Sequence, residues 1–167
     1  MPNTYHAAAY DRSASGFYFT SFADYQAKAV CHKNDYGDPV EEFELTAINV
    51  ENAELFEALG VNQANLEKWF ETFEDMDGDD LIKAIYLCTY EGSTMDDVLD
   101  RLDDLCLFEG QALDYAHDYI DDCGLLDTMP ENLRYYFDYD AFTRDLVLSG
   151  DITEVDIMGR SYVVWGC

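Results

Sequence analysis

Apolar and polar positions alternate over much of the first fifty residues and then settle into helical spacing. "TYHAAAY" and "GFYFT" read as two strands around the polar loop Asp11–Ser15. Ser21 to Lys33 reads as a helix, with Ser21 as N-cap and Asp24 at its third helical position. "EEFELTAIN" turns Phe43, Leu45 and Ala47 to one face and acids to the other, the pattern of a half-buried strand.

From Val50 to Asp104 the apolar residues fall into short stripes at helical spacing. Leu55, Phe56 and Leu59 form the first, ended by Gly60. Leu66, Trp69, Phe70 and Phe73 form the second, and Leu81, Ala84, Ile85 and Cys88 the third. Met95, Val98, Leu99, Leu102 and Leu105 form the fourth, with Ser93 or Thr94 as its cap. A fifth helix runs from about Gln111 to Cys123, with Leu113, Ala116, Ile120 and Cys123 inward and Gly124 after its end. Pro130 is placed to open another helix. "DITEVDI" and "RSYVVW" close the chain as a hairpin around Met158–Gly159. The pattern predicts an α+β protein of three small subdomains. These are an N-terminal sheet with a helix over 1–49, an acidic helical part over 50–104, and a second sheet with helices over 105–167.

Charge changes this picture most. Nine Lys and Arg stand against 36 Asp and Glu, for a net charge of -27 in 167 residues. Such a field repels nucleic acid, anionic membranes and other copies of the chain, and it attracts basic grooves or cations. The charge is concentrated: residues 71–127 hold eighteen acids and two bases. An acidic coat adapted to high salt would be spread evenly. With 49% hydrophobic and 15% aromatic residues, the chain has enough apolar surface for a core.

The candidate surface is therefore the acidic stretch: Glu71, Glu74, Asp75, Asp77, Asp79 and Asp80, then Asp96, Asp97, Asp100, Asp103 and Asp104, then Asp114, Asp118, Asp121 and Asp122. Asp96, Asp100, Asp103 and Asp104 follow an i, i+4, i+7, i+8 rule, and Asp114, Asp118, Asp121 and Asp122 repeat it. Like charges four apart cost about 0.2–0.5 kcal/mol per pair, and Asp is a poorer helix former than Glu. One such face reads as solvated surface. Two in succession point to use of the charge array itself. Duplex DNA carries one charge per about 1.7 Å, so 27 charges match roughly 46 Å of duplex, or about 13 base pairs.

Other chemistry is sparse. "DMDGDD" at Asp75–Asp80 suggests a calcium loop, but an EF-hand beginning at Asp75 needs Gly at 80 and Glu at 86, where Asp80 and Tyr86 stand. A solvated turn between helices is the better reading. The three histidines have no partners at metal-ligand spacing, and no nucleophile or phosphate-loop motif occurs. The chain reads as non-catalytic, without cofactor or metal. The five scattered cysteines read as free thiols in a reducing cytoplasm. No apolar run is long enough to span a bilayer and no signal-peptide pattern opens the chain, so no membrane association is expected and the cytoplasm is the expected location.

The last unusual stretch is "CGLLDTMPENLRYYFDYDAFTRDLVLSG", Cys123–Gly150. It crowds Tyr135, Tyr136, Phe137, Tyr139 and Phe142 into eight positions and carries Arg134 and Arg144. Two readings stand: a subunit interface through Tyr135, Tyr139, Phe142 and Arg144, or a core helix pair whose arginines pair with Asp138, Asp140 or Asp145. The stretch resembles the C-terminal segment of the ArdA-type antirestriction proteins of mobile genetic elements. The family's pattern falls on Gly124, Leu126, Pro130, Leu133, Tyr136, Tyr139, Ala141, Arg144, Asp145, Leu146 and Gly150. "SGFYFTSFADY" is similar to the family's N-terminal segment, with Tyr18 where Trp is usual, and the middle of the chain matches in acidity and helical character. The resemblance implies an elongated, three-part α+β homodimer that mimics bent duplex DNA. It also implies that the dimer occupies the DNA-binding groove of a type I restriction–modification enzyme. A CRISPR effector or a nucleoid protein is an alternative target, and a cation-binding protein is the alternative of a different class.

Overall fold

The computed structural model describes residues 2–167. The fold is α+β, with two three-stranded antiparallel sheets joined by short helices. The chain divides into two compact units, Met1–Met95 and Asp96–Cys167.

In the first unit, β1 (Thr4–Ala9) lies between β2 (Phe17–Phe19) and β3 (Phe43–Asn49). The expected alternation sets the register: Tyr5 and Ala7 of β1 and Phe43 of β3 point to the buried face, and Glu44 and Thr46 to solvent. Helix α1 (Phe22–Val30) starts where the sequence places it. The Ser21 side chain accepts from the Asp24 amide, and the Asp24 carboxylate accepts from the Thr20 amide at 3.1 Å.

Helix α2 (Ala53–Ala58) supplies Leu55 and Phe56, and α3 (Leu66–Lys68) supplies Leu66. The chain then widens into one π-helical turn, Trp69–Phe73, which buries both Trp69 and Phe73. Helix α4 (Gly78–Thr89) adds Leu81, Ala84, Ile85 and Leu87. The middle of this core is aromatic. Tyr5 stacks on Phe19 at 5.3 Å, meets Phe70 edge-on at 5.2 Å, and neighbours Phe56, which meets Trp69 edge-on. The Tyr5 hydroxyl is also the polar centre. It accepts from Trp69 Nε1 at 2.9 Å and donates to Glu74 Oε1 at 2.9 Å.

Helix α5 (Met95–Arg101) begins at the last residue of the first unit, and the second unit continues with a 3₁₀ turn (Leu102–Asp104) and β4 (Leu105–Glu109). The fourth stripe is therefore shorter than the sequence predicts: Leu99 is exposed, and Leu105 starts a strand instead of ending a helix. The run Leu105-Cys106-Leu107-Phe108 has no alternation, so period alone does not separate strand from helix there. In the sheet β6 (Arg160–Gly166) lies between β4 and β5 (Thr153–Ile157). The β5–β6 hairpin turns at Met158 and Gly159, with φ of 52° and 76°, the positive pair that a two-residue type I′ turn requires.

Helix α6 (Ala112–Cys123) packs on this sheet through Ala112, Ala116 and Ile120 and ends at Gly124 with φ 61°. Leu113 and Cys123, expected inward, are exposed, and Tyr115 takes the inward side with Phe108 and Trp165. Helices α7 (Glu131–Arg134) and α8 (Tyr139–Leu148) follow, and α8 packs against α6.

The structure corrects the reading of five free thiols. Cys106 and Cys167 form a disulfide with Cα atoms 5.5 Å apart, and Cys31, Cys88 and Cys123 are free. The β4–β6 register sets Cys106 opposite Trp165, two residues from Cys167, a proximity that a sequence separation of 61 conceals. In chain-entropy terms, a bridge closing such a segment stabilises by about 4 kcal/mol.

The aromatic centre yields a direct test. Tyr5→Phe keeps the ring but leaves the buried Trp69 N–H without its acceptor. Stability should fall by about 1–3 kcal/mol in urea denaturation. Tyr10→Phe, at an exposed ring, should stay within about 0.5 kcal/mol of wild type. Equal stability of the two variants would show that the bond carries nothing.

Candidate functional site

The fifteen acids singled out in the sequence are all exposed except Glu74, which is half-buried. Glu74 is structural: its carboxylate accepts from Tyr5 and, at 3.1 Å, from Asn3 Nδ2. Burial first, and then the Glu74 charge and hydrogen bond, raise the Tyr5 pKa well above the usual phenol range, against the lowering effect of Trp69. Tyr5 therefore stays neutral beside the carboxylate.

The remaining acids fall into two groups when each is set against its helix. Asp79 and Asp80 lie in the first turn of α4, Asp96 and Asp97 in the first turn of α5, and Asp114 in the first turn of α6. A helix N-terminus favours negative charge by about 0.3–1 kcal/mol per group at low ionic strength. Asp114 also closes a capping box with Gln111, accepting its amide at 3.1 Å. Asp77 is the N-cap residue of α4, and Glu71 lies in the π-helical turn. Asp75 and Asp77 flank the turn into α4, as a solvated turn between helices requires. Local structure thus accounts for much of this first group.

The second group has no such support. Asp118 lies in the middle of α6, and Asp121 and Asp122 lie in its last turn, which contains no base. There the helix dipole opposes negative charge, and the spacings from Asp114 to Asp118 and from Asp118 to Asp122 add like-charge repulsion. On α5, Asp100 is followed by Arg101 in the last turn. Asp103 and Asp104 stand on the 3₁₀ turn. Asp96, Asp100, Asp103 and Asp104 therefore do not form the straight α-helical row expected from their spacing. The tighter turn swings the last two off the line, although both remain exposed. On α6 the row is carried by one unbroken helix.

The aromatic segment divides in a comparable way. Tyr139 stacks on His117 of α6 with centroids 4.0 Å apart, and Phe142 stacks with Tyr119 at 6.3 Å, so both are half-buried against α6. Tyr135 and Tyr136 are 88% and 78% exposed, and Arg144 is exposed. Arg134 does not pair with Asp138, Asp140 or Asp145. Its Nε donates to the Met129 carbonyl and its Nη2 to the Asp127 carbonyl, both at 3.0 Å. Those bonds tie down the loop between α6 and α7.

One constellation escapes the sequence reading. Tyr115 and Tyr119 of α6 interleave with Asp118 and Asp122, and Phe108 of β4 and Trp165 of β6 complete aromatic walls beside them. The i, i+4 spacing of the two tyrosines was the available signal. The contributions of the strands were not visible, because β4 lacks alternation.

Among the described residues, no group of three or more His, Cys, Asp or Glu side chains is placed to hold a metal ion, and no helix is long and apolar enough to cross a membrane.

The two classes of acid predict opposite stability effects at low salt. Replacing Asp121 and Asp122 by Asn should raise stability by about 0.5–1.5 kcal/mol, and replacing Asp79 and Asp80 by Asn should lower it by a similar amount. Both effects should shrink at 0.5 M salt. Urea denaturation at two ionic strengths checks this, and shifts of the same sign would refute the division.

A sequence model of the family described as Antirestriction protein (ArdA) matches residues 17–159. The match runs from the first residue of β2 to the β5–β6 turn and spans all fifteen acids and the aromatic stretch from Tyr135 to Phe142. No curated protein matches the chain.

Proposed function

The chain belongs to the ArdA family of antirestriction proteins, and we propose that it acts as a non-catalytic mimic of duplex DNA. In this reading it occupies the DNA-binding groove of a type I restriction–modification enzyme and excludes DNA by direct competition. One observation carries the reading: α6 holds Asp121 and Asp122 in its last turn against the helix dipole, with Asp118 adding like-charge repulsion, and that turn contains no base. Charges held at a local cost, on a helix ordered by its packing, suit recognition by a basic surface. The short Asp side chain keeps each charge close to a rigid backbone, as a phosphate is held on its strand. With 27 excess negative charges, the field steers the chain toward the same grooves that attract DNA.

The protein also forms a homodimer in this reading. Two copies at -27 repel each other, so association needs an apolar patch away from the densest acids. Residues 128–167 carry seven acids and three bases and include the exposed Tyr135 and Tyr136. Tyrosine is among the residues that most often anchor interfaces. Tyr139 and Phe142 contribute by holding α8 on α6, and Arg144 supplies a rim charge.

Two measurements test these statements. In a DNA-competition assay on a purified type I enzyme, DNA and this protein should exclude each other. Inhibition should also weaken at least about tenfold between 50 and 200 mM salt. A ternary complex with both bound would refute groove mimicry. For the dimer, sedimentation should show tighter association at high salt, as screening lowers the repulsion. The Tyr135→Ala, Tyr136→Ala double variant should weaken it at least about tenfold, the loss expected when interface anchors are truncated. A monomer at micromolar concentration in high salt, or a dimer indifferent to both substitutions, would overturn the assignment.

A further inference from the structure

The aromatic constellation on α6 lines a half-open pocket of about 390 Å³ within the second unit. Its walls are the rings of Phe108, Tyr115, Tyr119 and Trp165, and it is also lined by the carboxyl-bearing Asp118 and Asp122. Tyr115 lies 4.7 Å from Trp165 and 5.9 Å from Tyr119, centroid to centroid, and meets Phe108 edge-on at 5.7 Å.

Three properties narrow the occupant. Aromatic faces carry negative quadrupole charge, and with two carboxylates they favour a cation and exclude an anion. Burial first, then Tyr119 and Cys123, raise the Tyr115 pKa, so its ring stays neutral. The His, Cys, Asp and Glu side chains here do not converge in a group that could hold a metal ion. An organic cation remains. A planar guanidinium can stack on a ring while its edge pairs with a carboxylate, which a compact ammonium cannot do.

We propose that this pocket is a receptor for an arginine side chain of the target enzyme, one that otherwise contacts DNA phosphate. The inference rests on the reading of the chain as a DNA mimic and adds an anchor to it. A field of exposed carboxylates attracts a basic surface without fixing its orientation. A pocket that accepts one side chain fixes the register. Asp118 and Asp122 thus serve the array and the pocket together.

The test uses the intact protein and N-acetyl-arginine amide as probe, followed by NMR at 150 mM salt. The indole signal of Trp165 should shift and saturate, and that of Trp69, which is fully buried in the other unit, should not. N-acetyl-lysine amide should bind at least about fivefold more weakly. Tyr119→Leu and the Asp118→Asn, Asp122→Asn double variant should each raise the Kd at least about fivefold, by loss of ring face or of charge. The Asp140→Asn, Asp145→Asn variant removes equal charge from the same unit and should change it less than about twofold. An unmoved Trp165, equal weakening by both double variants, or undiminished binding by Tyr119→Leu would overturn the pocket. In the restriction assay, Tyr119→Leu should weaken inhibition. If it inhibits as well as wild type, mimicry stands and the anchor falls. If arginine amide saturates the pocket but wild type blocks no restriction enzyme, the target reading falls and the receptor stands.

Discussion

Self-repulsion at a net charge of -27 is the constraint to which the rest of this structure answers. Each acid must face water, be hydrogen-bonded, or lie where a helix dipole offsets it, because an unpaired buried carboxylate costs more than a small core returns. The chain meets this with two modest cores. Each is built from a three-stranded sheet and a few short helices, and nearly all the acids lie on the outside. One exception is informative: Glu74 is drawn partly inward, where Tyr5 and Asn3 donate to it.

With so much charge outside, the inside relies on large aromatic residues. In the first unit Tyr5, Phe19, Phe56, Phe70 and Trp69 interlock, and one hydroxyl satisfies both the indole N–H and the inward carboxylate. The second unit has a smaller core, around Ala112, Ile152 and Val163. It is reinforced by the Cys106–Cys167 bridge and by an aromatic cluster that is only partly covered. Incomplete burial of that cluster leaves a cavity beside the least supported carboxylates of the molecule.

Function follows from the same distribution. Acids at helix starts contribute to folding and need no further account. Acids at the end of α6 oppose folding, and in the proposed reading their retention is explained by what they attract. Antirestriction is the activity of the family, and the DNA-mimic reading proposed above calls for a surface that a DNA-binding enzyme reads as nucleic acid. A packed scaffold with short carboxylate side chains offers that reading without a base or a sugar. In the proposed receptor, stacking on rings adds direction to a field that otherwise has none.

Much of this was legible in the sequence. Alternation in "EEFELTAIN", the Ser21 cap, the helical stripes, the Gly124 terminus and the Met158–Gly159 turn each follow from local rules, because period and turn chemistry act over a few residues. Charge clustering and the Cys123–Gly150 motif were equally legible, and they carried the family. What tertiary structure decided is whatever depends on partners distant in the chain. Leu105–Glu109 is a strand because β6 pairs with it, and that pairing, not spacing, brings Cys106 to Cys167. Tyr139 and Phe142 face inward and Tyr135 outward because α8 packs on α6, which a row of aromatics does not specify. Local rules fix which face of an element is apolar, but only packing selects the neighbour that covers it, and so which rings stay open to a ligand.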